Sequence, residues 1–271
     1  MIQLADLHTH STASDGQCSP ARLVAKARQA GVEVLALTDH DIISGLDEAI
    51  QAGQALGLTV LRGMELGASE DRYMHILGLG LRPRCPELES LCRTLRASRD
   101  ERKYRIVDYL ADKGIHIDLA EVEALAGSDV IARPHFARVM VRHGYVADTQ
   151  DAFDRYLDTD EYQKIERFKA DAAVCIQAIH QGGGKAVLAH PYQLGYSDEK
   201  LALTLQTLKD SGLDGLECYY PRHTPEMVRE FLMLAKRFDL HITAGSDFHG
   251  EQVRPDTVLT PTPLELDWLY R

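Results

Sequence analysis

Histidine and carboxylate residues follow or lie within short apolar, β-type runs from the first ten residues of the chain nearly to its end. They are His8, His10, Asp39, His40, Glu65, His75, His190, Asp247 and His249. Residues two apart in a strand point the same way, so His8 with His10 and Asp247 with His249 can each direct two side chains at one point. In a parallel βα barrel the strand C-termini emerge on one face. The distribution therefore predicts a barrel in which these residues meet.

Short β-type runs alternate with amphipathic helical stretches, which is the pattern of a parallel α/β fold. The runs at 2–8, 32–38, 59–66, 74–80, 185–189, 215–219 and 241–244 predict seven strands. Between the fourth and fifth runs the pattern is almost wholly helical and too long for a loop. We expect a catalytic barrel formed by residues 1–85 and 182–271, with an inserted helical lid subdomain over 86–181.

The segment after residue 251 contains three prolines, which predicts an irregular surface wrap. Its last residues predict an apolar anchor made of Leu266, Trp268 and Leu269.

Composition argues against several classes of protein. The net charge of −11 over 271 residues argues against broad, nonspecific binding of nucleic acid. The five cysteines form no CxxC pair, which is typical of reduced thiols. The N-terminus lacks the pattern of a signal peptide, and no apolar run approaches the roughly 20 residues that span a bilayer. We expect a cytoplasmic protein with no membrane association and no obligate protein partner.

Imidazoles mixed with carboxylates suit zinc, manganese or iron better than calcium. So many ligand-type groups exceed the needs of one ion and predict two or three. Each motif alone is weak, since a His-x-His pair occurs by chance and an Asp-His pair can simply cap a helix. Five separate strand ends that each finish in such a residue favour one joint site.

These residues resemble the motifs of the PHP (polymerase and histidinol phosphatase) family, which read DLHxHS, TDH, an intervening Glu and His, AHP and SDxH. The resemblance implies a distorted (β/α)7 barrel with up to three metals, manganese first and iron or zinc as the other candidates. It assigns His8, His10, Glu65 and Asp247 to one metal, Glu65, His75 and His190 to a second, and Asp15, His40 and His249 to a third. Asp15, in Ser14-Asp15-Gly16, also suits a plain turn.

The segment Arg133–Arg138, RPHFAR, further resembles the TrpH/YciV-type branch of that family. That resemblance implies hydrolysis of the 3′-phosphate of nucleoside 3′,5′-bisphosphates, and trimming of short RNA or DNA oligonucleotides from the 5′ end in some relatives. The expected mechanism is in-line attack on phosphorus by a metal-bridging hydroxide. His190 and Asp247 belong to the predicted catalytic set, and Asp15, His135 or a metal-bound water are the candidates for the general acid.

Basic residues in the insertion predict a second phosphate site. Arg99, Arg102 and Lys103 fall on the apolar stripe of the first inserted helix, where they either bind an anion or extend from the edge of the core. A second helix opens at Pro134, so its free N–H groups favour an anion beside Arg133, His135 and Arg138. The sequence thus predicts a lid that binds the phosphate that is not cleaved.

Three other functions compete with this hypothesis. A histidinol-phosphate phosphatase would use the same metal site, but the basic lid favours a second anionic group. A processive exonuclease or polymerase accessory lacks a strongly basic tract here. A noncatalytic metal-binding module would be expected to have lost some ligands.

Overall fold

The chain folds as two units, and the computed structural model describes residues 2–126, 131, 133–165 and 168–270. One unit comprises residues 1–92 and 169–271, and the other comprises residues 93–168. The predicted limits of the insertion, 86 and 181, are broader than this second unit.

An eight-stranded sheet forms the frame of the first unit. Its strands are β1 (Ile2–Thr9), β2 (Val34–Leu37), β3 (Thr59–Gly67), β4 (His75–Leu79), β5 (Lys185–Leu188), β6 (Gly215–Tyr219), β7 (His241–Ala244) and β8 (Thr262–Glu265). They lie in the order β7-β6-β5-β4-β3-β2-β1-β8. The residues after β7 return to β1, where Asp247 N donates to His8 O at 2.8 Å and His10 N to Phe248 O at 2.9 Å. The sheet thus nearly closes, and the predicted α/β barrel is confirmed.

The direction of one strand and the number of strands differ from the sequence-based prediction. β4 runs antiparallel to both β3 and β5, because the seven-residue connection from β3 is too short to return for a parallel pairing. The irregular wrap expected after residue 251 is wrong for β8, which pairs antiparallel with β1. Pro263 is tolerated there because β8 is an edge strand, where a missing N–H costs little. The Leu266 and Leu269 anchor is buried as predicted.

Helices α1 (Pro20–Gln29), α2 (Leu46–Leu56), α8 (Ala172–Gln181), α9 (Asp198–Asp210) and α10 (Pro225–Arg237) pack in the first unit. The local sequence sets their ends. Ser19 caps α1 by accepting a hydrogen bond from Arg22 N at 3.3 Å, and Pro20 occupies the first turn. Gly57 ends α2 in the left-handed conformation, φ 64°. Because these ends depend on local capping chemistry, the residues that set them can be recognised in the sequence.

The second unit is helical and has its own core. Helix α3 (Pro86–Asp112) begins in the first unit and runs into the second, which adds α4 (Leu119–Ala126), α5 (Arg133–Arg142), α6 (Thr149–Ala152), a π-helical turn (Phe153–Leu157) and α7 (Asp160–Gln163). Phe136, Met140, Leu110, Val122 and Tyr162 are buried together in it. This apolar core explains how a helical unit of so few residues is stabilised.

All five cysteines are buried and unpaired. Burial raises the pKa of the Cys175 and Cys218 thiols to about 12, so these two are poor nucleophiles. None of the helices in the described parts of the chain is long and apolar enough to cross a bilayer.

Candidate metal centre

The predicted ligand residues meet at one end of the barrel. His8 lies in β1, His10 and Asp15 follow it, His40 follows β2, Glu65 lies near the end of β3, His190 follows β5, and Asp247 and His249 follow β7. His75 is the first residue of β4. Because β4 is antiparallel to its neighbours, its first residue lies opposite Gly67, at the end of β3. The reversed strand therefore brings His75 to the same end as the others.

Glu65 is at the centre of the cluster. Its Oε2 lies 2.9 Å from His40 Nδ1, 3.2 Å from His10 Nε2 and 3.5 Å from His8 Nε2. Its Oε1 lies 2.7 Å from His75 Nδ1 and 3.1 Å from His190 Nε2. One carboxylate thus faces five imidazoles through its two oxygens, an arrangement suited to a ligand shared between ions.

Two further carboxylates flank the centre. Asp247 Oδ1 lies 3.3 Å from His10 Nε2 and 3.6 Å from His8 Nε2. Asp15 contacts His249 Nε2 at 3.3 Å and His40 Nε2 at 3.7 Å, on the other side of His10. All nine predicted metal ligands are therefore brought together, in four overlapping groups whose ligand atoms lie within 4.8 Å of one another. How they divide between individual ions stays a prediction.

The donor atoms fit divalent cations. His8 Nε2, both ring nitrogens of His10, Glu65 Oε2 and His249 Nε2 are buried without a hydrogen-bond partner among the described residues. A buried polar atom without a partner costs about 1–3 kcal/mol. Lone pairs of imidazole and carboxylate that converge in this way are satisfied by a metal ion.

Outer hydrogen bonds fix which nitrogen faces the cluster in two of the imidazoles, those of His249 and His8. His249 Nδ1 lies 2.8 Å from the carbonyl oxygen of Asp247, which only accepts, so Nδ1 carries the proton and Nε2 is left as a ligand. His8 Nδ1 lies 3.1 Å from Glu217 Oε1 in the same way. Glu217 Oε2 also accepts from His190 N at 2.7 Å. Such contacts orient metal ligands and raise their basicity.

The charges of the cluster stabilise one another. Burial would raise the pKa of Glu65, but the imidazoles of His40, His75 and His8 bring it well below its usual range. Burial would also raise the pKa of Asp247, which His8 and His249 lower. Both carboxylates are therefore ionised and available as ligands.

Two of the ligand residues have strained backbone conformations. His190 and Asp247 have φ values of 27° and 52°, in a region that residues other than glycine seldom adopt. Gly245 allows β7 to approach β1, since a Cβ there would lie 2.2 Å from His8 Cβ. Strain of this kind is concentrated at functional sites.

Asp39 follows β2, near the strand end where the sequence pattern placed it, but it lies outside the ligand groups. Its oxygens accept hydrogen bonds from Ser11 N at 2.8 Å, Ser11 Oγ at 2.6 Å and Ser14 Oγ at 2.5 Å. It therefore orients the loop after β1 that carries His10 and Asp15.

Glu217, Tyr220 and Arg254 also contact the cluster, and none of them is among the ligand residues predicted from the sequence. Tyr220 OH donates to Asp247 Oδ2 at 2.9 Å, and Arg254 Nη1 contacts the same oxygen. Glu217 had a usable signal, because it is an acidic residue between Leu216 and Cys218 inside a buried strand. Arg254 had none, because it lies in a loop whose path is set by tertiary contacts.

The predicted phosphate-binding residues lie in the second unit, where several are bonded to neighbours. Arg102 Nε donates to Ile165 O at 2.9 Å, and Lys103 Nζ lies 2.8 Å from Glu123. Arg133 Nη1 contacts Leu157 O at 3.2 Å and Asp158 Oδ1 at 3.0 Å. Arg99 and His135 are half-buried and Arg138 is exposed. Their role in binding phosphate stays a prediction.

Comparison with known proteins adds a family and an activity class. The PHP domain matches residues 6–165. A 5′-3′ exoribonuclease of Haemophilus influenzae is 37% identical over 250 residues, 92% of this chain and 91% of the relative. A 3′,5′-nucleoside bisphosphate phosphatase of Chromobacterium violaceum is 34% identical over 251 residues, 90% of this chain and 87% of the relative. A solved structure from Bifidobacterium adolescentis, described as a metal-dependent phosphoesterase, is 33% identical with a TM-score of 0.82, and the alignment covers 98% of this chain and 93% of that one.

Proposed function

This chain belongs to the PHP domain family and is a phosphate-ester hydrolase, and on that premise we propose that it removes the 3′-phosphate of nucleoside 3′,5′-bisphosphates. The observation that carries the proposal is the cluster of nine ligand residues around Glu65, with its buried unpartnered donor atoms. Similarity to the bisphosphate phosphatase extends over 90% of the chain, so it includes both the barrel and the insertion.

Manganese is the proposed ion, with iron or zinc as alternatives, because the donors mix imidazole with carboxylate. His8, His10, Asp15, His40, Glu65, His75, His190, Asp247 and His249 would hold two or three such ions. Bound there, divalent ions activate water and neutralise charge on a phosphoryl group.

The chain's own residues fix the geometry of that site. Glu217 holds the ring of His8 and the backbone of His190 in place by accepting from His8 Nδ1 and from His190 N. Burial would raise the pKa of Asp15, but His249 and His40 lower it well below its usual range. An ionised Asp15 is a better ligand than proton donor, which favours His135 or a water as the general acid.

We also propose that the second unit binds the phosphate that is not cleaved. Burial lowers the pKa of Arg102, and the nearby guanidinium groups of Arg133 and Arg99 lower it further, so Arg102 is repelled by both neighbours. An anion among them would relieve that repulsion, and arginine suits bidentate contact with phosphate. Lys103, His135 and Arg138 complete the predicted set.

Trimming of short 5′-phosphorylated oligonucleotides is the second candidate function. The 37% identical relative named as a 5′-3′ exoribonuclease favours it. The two functions require the same metal chemistry and differ in whether the scissile phosphate is a terminal monoester or a diester that joins the first nucleotide to a longer chain.

A hydrolysis screen with the Mn²⁺-loaded protein, which measures both inorganic phosphate and released mononucleotide, tests the proposal. It compares nucleoside 3′,5′-bisphosphate, 5′-mononucleotide, histidinol phosphate and a 5′-phosphorylated RNA oligonucleotide. We expect the highest kcat/KM on the bisphosphate. Faster cleavage of the oligonucleotide would favour the exonuclease, and faster cleavage of histidinol phosphate would favour a phosphomonoesterase of that type. Metal binding without hydrolysis of any of them would contradict the proposal.

A further inference from the structure

The metal cluster is buried on most sides, and its exposed members mark where a substrate can enter. The side chains of His8 and Glu65 are at most 1% exposed, whereas those of His40 and Asp15 keep 15% and 24%. Arg254, which no sequence motif singled out, contacts the cluster and keeps 35% of its side chain exposed. Its guanidinium therefore lies at the boundary between the buried ligands and solvent.

Arg254 reaches the cluster through Asp247. Its Nη1 donates to Asp247 Oδ2, which also accepts from Tyr220 OH at 2.9 Å. The other oxygen, Oδ1, lies 3.3 Å from His10 Nε2, on the ligand side. The two oxygens of Asp247 are thus divided between the protein scaffold and the metal site.

Arg254 has donors to spare. A guanidinium carries five N–H donors, and the bond to Asp247 uses one of them. Among the described lysines and arginines, Arg254 is the one that forms an ion pair with a carboxylate of the cluster. Its side chain makes no other hydrogen bond to the described residues. Arginine stays protonated in proteins, so the ion pair with Asp247 places a permanent positive charge beside a cluster carboxylate.

The loop that carries Arg254 is tied to the barrel. Arg222 Nε donates to Asp256 Oδ2 at 2.8 Å, and Gln252 N donates to Gln17 Oε1 at 3.2 Å. Gly250, with φ +106°, passes so close to Gln17 that a Cβ would lie 2.4 Å from its side chain. The position of Arg254 is therefore set before substrate arrives, which lowers the entropy cost of using it.

We propose that Arg254 binds a non-bridging oxygen of the phosphoryl group undergoing hydrolysis, while its Nη1 holds Asp247 in its ligand orientation. The proposal rests on the phosphate-ester hydrolase activity of the cluster but not on the choice of bisphosphate. Charge that develops on phosphoryl oxygens is stabilised best by fixed donors in a partly desolvated site. A guanidinium serves two acceptors at once, which an ammonium of the same charge does less well.

The test measures binding of inorganic phosphate to Mn²⁺-loaded protein by calorimetry, together with metal content and kcat/KM on an aryl phosphate. The variants are R254A and R254K, with R229A on α10 as a control, because Arg229 is also ion-paired but 65% exposed and outside the site. At equal metal occupancy we expect R254A to weaken phosphate binding about tenfold to a hundredfold, the range for a charge-assisted hydrogen bond. We expect kcat/KM to fall about a hundredfold or more.

R254K should recover part of the phosphate affinity through its charge, and millimolar guanidinium should partly restore R254A. R229A should match wild type in all three measurements. Phosphate affinity in R254A equal to that of wild type at the same metal occupancy would overturn the proposal. So would a loss that disappears when Mn²⁺ is raised, because Arg254 would then act only on the metal. If wild type hydrolysed none of the nucleotides while R254A still lost phosphate affinity, the proposed function would fail and this inference would stand.

Discussion

The ligand end of the barrel and the helical second unit differ in how far their polar side chains are bonded to the chain itself. At the barrel end, His8 Nε2, Glu65 Oε2 and His249 Nε2 are buried and lack hydrogen-bond partners among the described residues. In the second unit, Arg102 is bonded to Ile165 O, and Arg133 to Leu157 O and Asp158. The first arrangement is incomplete without a ligand, whereas the two half-buried arginines of the second unit are bonded to the chain itself, although the Tyr162 hydroxyl of that unit is buried without a partner among the described residues.

This difference predicts which substitutions affect function first and which affect stability first. A buried unsatisfied donor or acceptor destabilises the fold by about 1–3 kcal/mol, so several of them together persist only where a ligand satisfies them. The second unit instead derives its stability from an apolar core around Phe136 and Tyr162. Changes at the barrel end should therefore affect metal and catalysis first, and changes in the core of the second unit should affect folding first.

Removal of metal should have the largest effect. Treatment with a chelator should reduce phosphate release to background, because the bound ions are what would activate water at this site. Added Mn²⁺ should restore the activity. The melting temperature should fall as well, because a bound ligand at a hundred times its Kd stabilises the native state by about 2.7 kcal/mol. A sample treated with metal-saturated chelator is the control. Full activity after verified metal removal would contradict the interpretation of the barrel end as a metal site needed for hydrolysis.

Truncation of the core of the second unit should come next. Phe136→Ala removes a fully buried ring and should lower the free energy of unfolding in urea by about 3–5 kcal/mol. Metal content of the folded protein should stay unchanged. Tyr104→Ala is the control, because that ring is 57% exposed. Equal destabilisation by the two variants would show that the described core does not stabilise the unit.

Loss of an outer contact should have an intermediate effect on metal. Glu217→Gln keeps the shape of the side chain but removes the charge that faces His8 Nδ1. We expect Mn²⁺ affinity to fall about tenfold to a hundredfold, as for other partners of metal-binding histidines. Calorimetric titration measures it, with exposed Glu226→Gln as the control. Unchanged affinity would mean that His8 is held by other contacts.

The smallest effect should come from an exposed arginine of the second unit. Arg138→Ala should raise KM about tenfold for a nucleoside 3′,5′-bisphosphate and leave an aryl phosphate unaffected, because only the bisphosphate has a second phosphate to bind. Arg105→Ala removes another exposed arginine of the same unit and should change neither KM. Equal effects of Arg138→Ala on both substrates would remove the case for a second phosphate site.

Much of the site could be predicted because its determinants are local. Ligand-type residues at strand ends, two apart in His8 and His10 and again in Asp247 and His249, follow from the period of a strand. Helix ends such as Ser19-Pro20 and Gly57 follow from capping chemistry. The sequence thereby determined an α/β barrel and eight of the nine ligand residues that meet. Asp15 was assigned by the family resemblance, and Asp39, which the same pattern included, lies outside the ligand groups.

Only the tertiary structure decided the rest, because the deciding partners are distant in sequence. The antiparallel β4 that carries His75 to the ligand end depends on pairing with both β3 and β5, and β8 exists because β1 offers it a free edge. Glu217 and Arg254 became part of the site through contacts with His8 and Asp247 that no spacing encodes. Residue type and the periodic spacing of side chains can be read from the sequence. Strand direction and the outer contacts of a site are set only when distant segments pack.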